Sequence, residues 1–390
     1  MDAITKSLLA HTGPTASPSL LAIGPAVRSC ITLGTRSHTA LRADDPAWEQ
    51  ELPALLAARL SPIALEAMGP GEPLPEVRRA LEGSSWVLAA QAMAAEASAA
   101  RALRAFDLAS ISCAVIKGPA VARFHPNPNS RPYADIDVAV PQPQFRTAVG
   151  ILAEMGFELD VAKRQPWDWF DVMCLEGVNL QNQSGGNMDV HHHISPWSIG
   201  KGLRTDAIVA RSDSGELLGV PVRLASASDC LAIACLHVLN DLWKANPSLL
   251  SWRDALITSQ LLGQERSDRA FELAGLQWFA PYVRNSLEAI VTGSVSHLSG
   301  AQQAPRLRQL QLRLLGWEGA SLLARHPIGW AVRLPPAHAI LFLAGSAVPS
   351  RWYARQKHTG YLAYWTKSLK TIWSAAAGTD FRVHDLHDET

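Results

Sequence analysis

Cysteine is scarce in this chain. There are five in 390 residues: Cys30, Cys113, Cys174, Cys230 and Cys235. An odd, scattered set excludes a disulfide framework. Cys230 and Cys235 stand five apart in the apolar run CLAIAC. A zinc site would need a second close pair, which the sequence lacks, so these two read as core thiols. Long apolar runs are also missing. The longest near the C-terminus, Ala337 to Val348, falls short of the roughly 20 residues of a membrane span. The N-terminal MDAITKSLLAHTGP carries one Lys and only a short apolar run, a poor signal peptide. We expect a soluble, cytoplasmic protein with no membrane span. Net charge is absent too, with 35 Lys plus Arg against 35 Asp plus Glu. That argues against binding nucleic acid over the whole surface. Charged residues are few, at 18%, while 48% are hydrophobic, which excludes a mainly disordered chain and leaves ample material for a packed core. No repeat of fixed period is visible.

At about 150 residues per domain the length implies two or three domains. Residues 1–45 carry Gly, Pro, Ser and Thr with little periodicity and read as a loosely ordered leader. Residues 46–110 are rich in Ala, Leu and Glu, as in LPALLAARL and RALEGSSWVLAAQAMAAEASAARALRAF. This composition favours helices. The texture changes at Ile111. SCAVIK and YADIDVAV read as strands, separated by the loop HPNPNSRP, and PQFRTAVGILAEMGF reads as a helix stopping at Gly156. WFDVMCL, GVNLQNQ and MDVHHHI follow as strands, the last two joined by the turn signal SGGN. DAIVARS and VPVRLA are two further strand candidates. Residues 111–225 thus mix strand and helix, with hairpins that an all-parallel βαβ repeat would not have. Helices return from Ser226, in SASDCLAIACLHVLNDLW and SWRDALITSQLLG, and dominate 226–390. The expected class is α+β: a mixed-sheet core flanked by N-terminal helices and a C-terminal helical domain.

Three segments carry chemistry. In the strand Asp135-Ile136-Asp137-Val138-Ala139-Val140, alternate side chains share a face, so Asp135 and Asp137 point together while Ile136, Val138 and Val140 enter a core. Two carboxylates in such a setting repel, and a divalent cation relieves them; hard oxygen ligands suit Mg²⁺. In Met188-Asp189-Val190-His191-His192-His193-Ile194 the same parity groups Asp189, His191 and His193. If this strand lies beside the first, Asp189 completes a three-carboxylate cluster able to hold two Mg²⁺ on a nucleoside triphosphate. The third segment is Ile116-Lys117-Gly118-Pro119, directly after the strand SCAVI. Gly118 lets the backbone approach a phosphate, Lys117 supplies a point charge, and Arg131, four residues before Asp135, can fork onto phosphate. Each part has a plainer reading. A D-x-D pair in a strand often arises by chance. Three consecutive histidines suit a transition metal, although only His191 and His193 share a face. The combination of K-G, R-x-x-x-D-x-D and D-x-H is far more specific than any part.

The run VIKGPAVARFHPNPNSRPYADIDVAVP, the helix ending AEMGFE, and MDVHHHI together resemble the uncharacterised nucleotidyltransferase family of the DNA polymerase beta-like superfamily. SASDCLAIACLHVLNDLWKANPSLLSWRDALI is similar to that family's helical segment, with His237 and Asp254 at its His and W-x-D positions. The resemblance covers roughly residues 85–265. It implies a nucleotidyltransferase-like core at 111–225, with Asp135, Asp137 and Asp189 as metal ligands and catalytic carboxylates. It implies nucleotide binding by Lys117, Gly118, Arg131 and His191, with His191 in a structural or supporting place. It implies Mg²⁺ or Mn²⁺, two ions with a bound NTP. Lys117 departs from the small residue that many superfamily members carry at this turn. His237 and Asp254 would brace the cleft.

The implied reaction moves a nucleoside monophosphate from an NTP to a hydroxyl or phosphate acceptor and releases pyrophosphate. The acceptor stays open between a peptide or protein, a small molecule and an RNA end. Segment 301–379 holds ten Lys or Arg against one acid, Glu318, a balance of +9 that the rest of the chain offsets with −9. Among those basic residues stand Trp317, Trp330, Trp352, Tyr353, Tyr361, Tyr364, Trp365 and Trp373. This interleaving suits RNA, an acidic or phosphorylated peptide, or a solvated face over an aromatic core. Two other readings stand beside the first: a catalytically silent nucleotide-binding regulatory module of toxin–antitoxin type, and a scaffold that transfers another group, such as a sugar, in peptide natural-product biosynthesis.

Overall fold

The computed structural model describes residues 23–159, 170, 176–183, 185–195, 200, 202–241, 248–293, 336–351, 353–354, 362–363 and 365–366. WFDVMCL, apart from Phe170, lies outside these residues, as do Cys174, residues 1–22 and most of the basic segment 301–379.

Among the described residues four short helices come first: α1 (Pro25–Thr32), α2 (Ala47–Gln50), α3 (Leu52–Ala57) and α4 (Ser61–Ala67). The long α5 (Pro75–Leu108) follows, with Pro at its start and an Ala-rich body as its composition dictates. The expectation of a loose leader through residue 45 needs correction over its second half. Helix α1 buries Ala26, Cys30 and Ile31 completely. Its carbonyl end is closed from far away, because the buried Arg253 guanidinium donates to the carbonyls of Ile31 at 3.1 Å and Leu33 at 3.0 Å. A partner more than 200 residues distant leaves no local periodicity to read.

The core is a seven-stranded mixed sheet in the order β3-β4-β5-β2-β1-β7-β6. Its strands are β1 (Ala114–Val115), β2 (Ile136–Ala139), β3 (Phe157–Leu159), β4 (Gly177–Asn182), β5 (Asn187–His191), β6 (Asp213–Leu217) and β7 (Val220–Leu224). Helices α6 (Pro119–Ala122), α7 (Gln142–Glu154) and α8 (Thr205–Arg211) connect them. The β2/β5 and β1/β7 pairs are parallel and the other four are antiparallel. The fold is therefore α+β, as the alternation of textures implied. DAIVARS was expected as a strand, but Thr205–Arg211 is helix and the strand begins only at Asp213. Isolated β-branched residues did not outweigh a helix that buries Ile208 and Val209 on one side.

Beyond the sheet lie α9 (Ala227–Asp241), α10 (Leu249–Ala274), α11 (Ala280–Thr292) and α12 (Pro336–Ala347). Helix α10 breaks at Gly263, whose φ of 73° and ψ of 174° are not helical. Among the described residues no helix is long and apolar enough to cross a membrane.

Register decides the site. Parallel pairing sets Ile136 against Met188, Asp137 against Asp189, and Val138 against Val190. The antiparallel β4 continues the rows with Leu180, Asn179 and Val178. With side chains alternating, Ile136, Met188 and Leu180 and then Val138, Val190 and Val178 make apolar rows, onto which α5 and α7 pack. Each such buried side chain contributes about 1.5–3 kcal/mol. Between them runs the polar row Asp137, Asp189 and Asn179 on the opposite face. A slip of one residue would put the acids into the core, so the apolar rows fix where the acids stand.

Candidate active site

Asp137 is the centre of the site. It lies in the middle of β2 and only 3% of it is exposed. A buried carboxylate costs several kcal/mol unless it is paired. Two nitrogen groups compensate it on one oxygen. Lys117 Nζ forms an ion pair with Asp137 Oδ1. His191 Nε2 lies 3.0 Å from the same Oδ1. A carboxylate only accepts, so Nε2 carries the proton and donates. Burial would raise the Asp137 carboxyl, but Lys117 and His191 outweigh it and hold it far below its ordinary value. Burial likewise opposes the Lys117 ammonium, yet Asp137, Asp189 and Asp135 together keep it above its usual range. His191 follows the same pattern: burial pushes it down, and the hydrogen bond to Asp137 more than restores it.

The ligand atoms of Asp137, Asp189 and His191 all lie within 4.8 Å of one another. This is the one such His/Cys/Asp/Glu group among the described residues. Two carboxylate oxygens and an imidazole nitrogen at that spacing form a donor set that fits a divalent ion such as Mg²⁺ or Mn²⁺. Asp135 stands outside this group, in the bend that precedes β2. It is near enough that burial, Asp137 and Asp189, in that order, raise its carboxyl. His193 leaves the face expected of it, because β5 ends at His191 and the amides of both His192 and His193 bond the carbonyl of Glu176. Strand alternation ends there. His192 lies in the core, on the side that parity shares with Met188 and Val190, and packs 4.4 Å from the Phe145 ring.

Lys117 and Gly118 form the turn between β1 and α6. Gly118 has φ 54° and ψ −115°, a backbone conformation that side chains other than hydrogen resist. Arg131 was expected to reach phosphate. Its fork is instead engaged by Asp254, with Nε 3.0 Å from Oδ1 and Nη2 2.6 Å from Oδ2. His125 Nε2 bonds the same Asp254 at 2.9 Å. This buried triad ties α10 to the segment that leads into β2. Burial would raise the Asp254 carboxyl, but Arg131 and His125 hold it far down.

A cavity of about 180 Å³ opens over Lys117, Asp137 and Asp254. Lys117, Arg131, Asp135 and Asp137 form its charged wall. Ile233, Ala234 and Leu250 form an apolar wall, with His237, Ser248 and Ser251 beside them. Ser248 caps α10, its hydroxyl accepting from the Ser251 amide at 3.3 Å. Sequence reasoning singled out His237 and Asp254 but missed His125, Ser248 and Ser251. For Ser248 a signal was present, since Ser before an apolar periodic run marks a helix start. For His125 none was, because its partner lies 129 residues away.

A model of the family described as "Uncharacterised nucleotidyltransferase" matches residues 44–275, more than half of the chain. Among curated proteins none matches the chain.

Proposed function

The chain belongs to the uncharacterised nucleotidyltransferase family and is a nucleotidyltransferase, and from that premise we propose that it is metal-dependent and transfers a nucleoside monophosphate from an NTP to a hydroxyl or phosphate acceptor, releasing pyrophosphate. The observation that supports this reading is the pairing of Asp137 with Asp189 across adjacent parallel strands, with His191 beside them, and a cavity with a charged and an apolar wall that reaches Asp137.

In this reading Asp137 and Asp189 hold the divalent ion, His191 joins them through a ring nitrogen that carries no proton, and Asp135 adds a further carboxylate at the rim. The ion, when bound, neutralises phosphate charge and lowers the pKa of an attacking hydroxyl. The remaining work falls to the protein. Lys117 supplies a compact positive charge toward the phosphates. The Gly118 turn lets them approach the backbone. Arg131, its charge balanced and its orientation fixed by Asp254, lines the cavity wall. Asp189, less buried than Asp137, is placed to accept the acceptor's proton. The apolar wall of Ile233, Ala234 and Leu250 excludes water and leaves room for the nucleoside or the acceptor. Catalysis of this kind is mainly positioning and charge stabilisation.

The domain boundaries fit the same reading: helices at 46–110, the core at 111–225, and a helical domain from 226 that closes one wall of the cleft. The acceptor class is a peptide or protein hydroxyl, a small molecule or an RNA end. Purified protein given Mg²⁺ or Mn²⁺ and each labelled NTP should yield labelled product with a suitable acceptor, and should bind nucleotide in a metal-dependent way. Asp137→Ala should abolish both. A folded protein that binds no nucleotide with either metal would overturn the reading.

A further inference from the structure

One oxygen, Asp137 Oδ1, receives both Lys117 Nζ and His191 Nε2. Asp137 is too buried for water to balance its charge, so Lys117 does so. The Lys117 side chain is itself 22% exposed and lines the cavity. Its flexible four-carbon stem can therefore carry the ammonium away from Asp137 without leaving the cleft. Any ion held by Asp137, Asp189 and His191 must share Asp137 with this ammonium. Two cations on one carboxylate repel, and the ammonium reduces the negative charge that draws a divalent ion in.

Resting on the metal-dependent reading above, we propose that Lys117 is a built-in counter-ion that competes with the divalent metal for Asp137, and that a polyphosphate draws it off, so that metal and nucleotide load together. The energetic logic is a coupling between two sites on one cleft. A ligand that moves Lys117 onto its own phosphates raises metal affinity, and the metal raises the ligand's affinity by the same factor. A site that takes metal weakly until nucleotide arrives avoids holding a bare ion beside an acceptor hydroxyl. Lys117 thereby has a role distinct from holding phosphate alone.

The test measures Mn²⁺ binding to the full chain by electron paramagnetic resonance, without nucleotide and with α,β-methylene-ATP. Without nucleotide, Lys117→Met should bind Mn²⁺ about tenfold more tightly than wild type or better, the usual effect of one neighbouring charge. Lys117→Arg, which keeps the charge, should stay near wild type. The gain in Mn²⁺ affinity on adding α,β-methylene-ATP should be large in wild type and smaller in Lys117→Met. A second measurement needs no variant. In wild type, acylation of Lys117 followed by mass spectrometry should quicken when Mn²⁺ is added and slow again when the analogue joins it. Lys117→Met binding Mn²⁺ no more tightly than wild type would overturn the inference. If that variant does not fold, labelling of Lys117 that ignores Mn²⁺ would overturn it instead. Wild type that binds neither Mn²⁺ nor the analogue would refute the parent reading as well.

Discussion

Removing the Asp254 carboxylate tests how the helical region is fastened to the sheet. Asp254 is 4% exposed and Arg131 8%, and the His125 side chain is fully buried. Asp254→Ala therefore leaves a guanidinium in the interior with no counter-charge. Breaking a buried pair from one side costs about 3–5 kcal/mol, because the remaining charge is uncompensated. At about 2–4 °C per kcal/mol for a domain of 150–250 residues, the melting temperature should fall by roughly 6–20 °C. Thermal and urea unfolding, followed by circular dichroism, measure this directly. The double change Arg131→Met with Asp254→Leu should recover most of the loss, since it removes both charges and fills the space. The pH dependence has a definite sign. The Asp254 carboxyl lies far below its ordinary 3.8 in the folded protein. Its share of stability is whole above about pH 4 and drains away as pH falls further. Asp254→Asn has no carboxyl to protonate, so the gap between it and wild type should close in acid. A loss under about 1 kcal/mol for Asp254→Ala, the range of a surface ion pair, would refute the reasoning. So would a double variant less stable than either single one.

Asp137→Asn should keep the fold but cut metal-dependent turnover by about a thousandfold or more, the scale of losing a group that acts in the transition state; steady-state rates with a labelled NTP check it. Gly118→Ala forces a side chain into φ 54°, costing about 1–3 kcal/mol of strain and weakening nucleotide binding, readable by calorimetry and thermal shift. Gly177 faces the β5 backbone so closely that an added Cβ would sit 2.0 Å from the Val190 carbonyl oxygen. Gly177→Ala should therefore displace the strand that carries Asp189 and His191, lowering both the melting temperature and Mn²⁺ affinity, the latter seen by electron paramagnetic resonance.

The amino-acid sequence by itself determined the local pattern of this protein. Alternation in IDVAV and MDVH sets which acids share a face, because strand geometry has a period of two whatever the surroundings. Gly156 and the Ala-rich runs mark helices through backbone preferences that act within a few residues. The pairing of Asp137 with Asp189 was conditional on two strands lying side by side in one particular register. Tertiary structure alone decided the rest. It set the exact parallel register, and it ended strand alternation at His191 through the Glu176 carbonyl. It also gave Arg131 to Asp254, 123 residues away, and Lys117 to Asp137 on the neighbouring strand. The physical reason is one of range. Hydrogen-bonding and steric preferences of the backbone act between near neighbours and are written in order along the chain. The partner of a buried charge is whichever opposite group packing delivers, and packing is settled by the whole core at once.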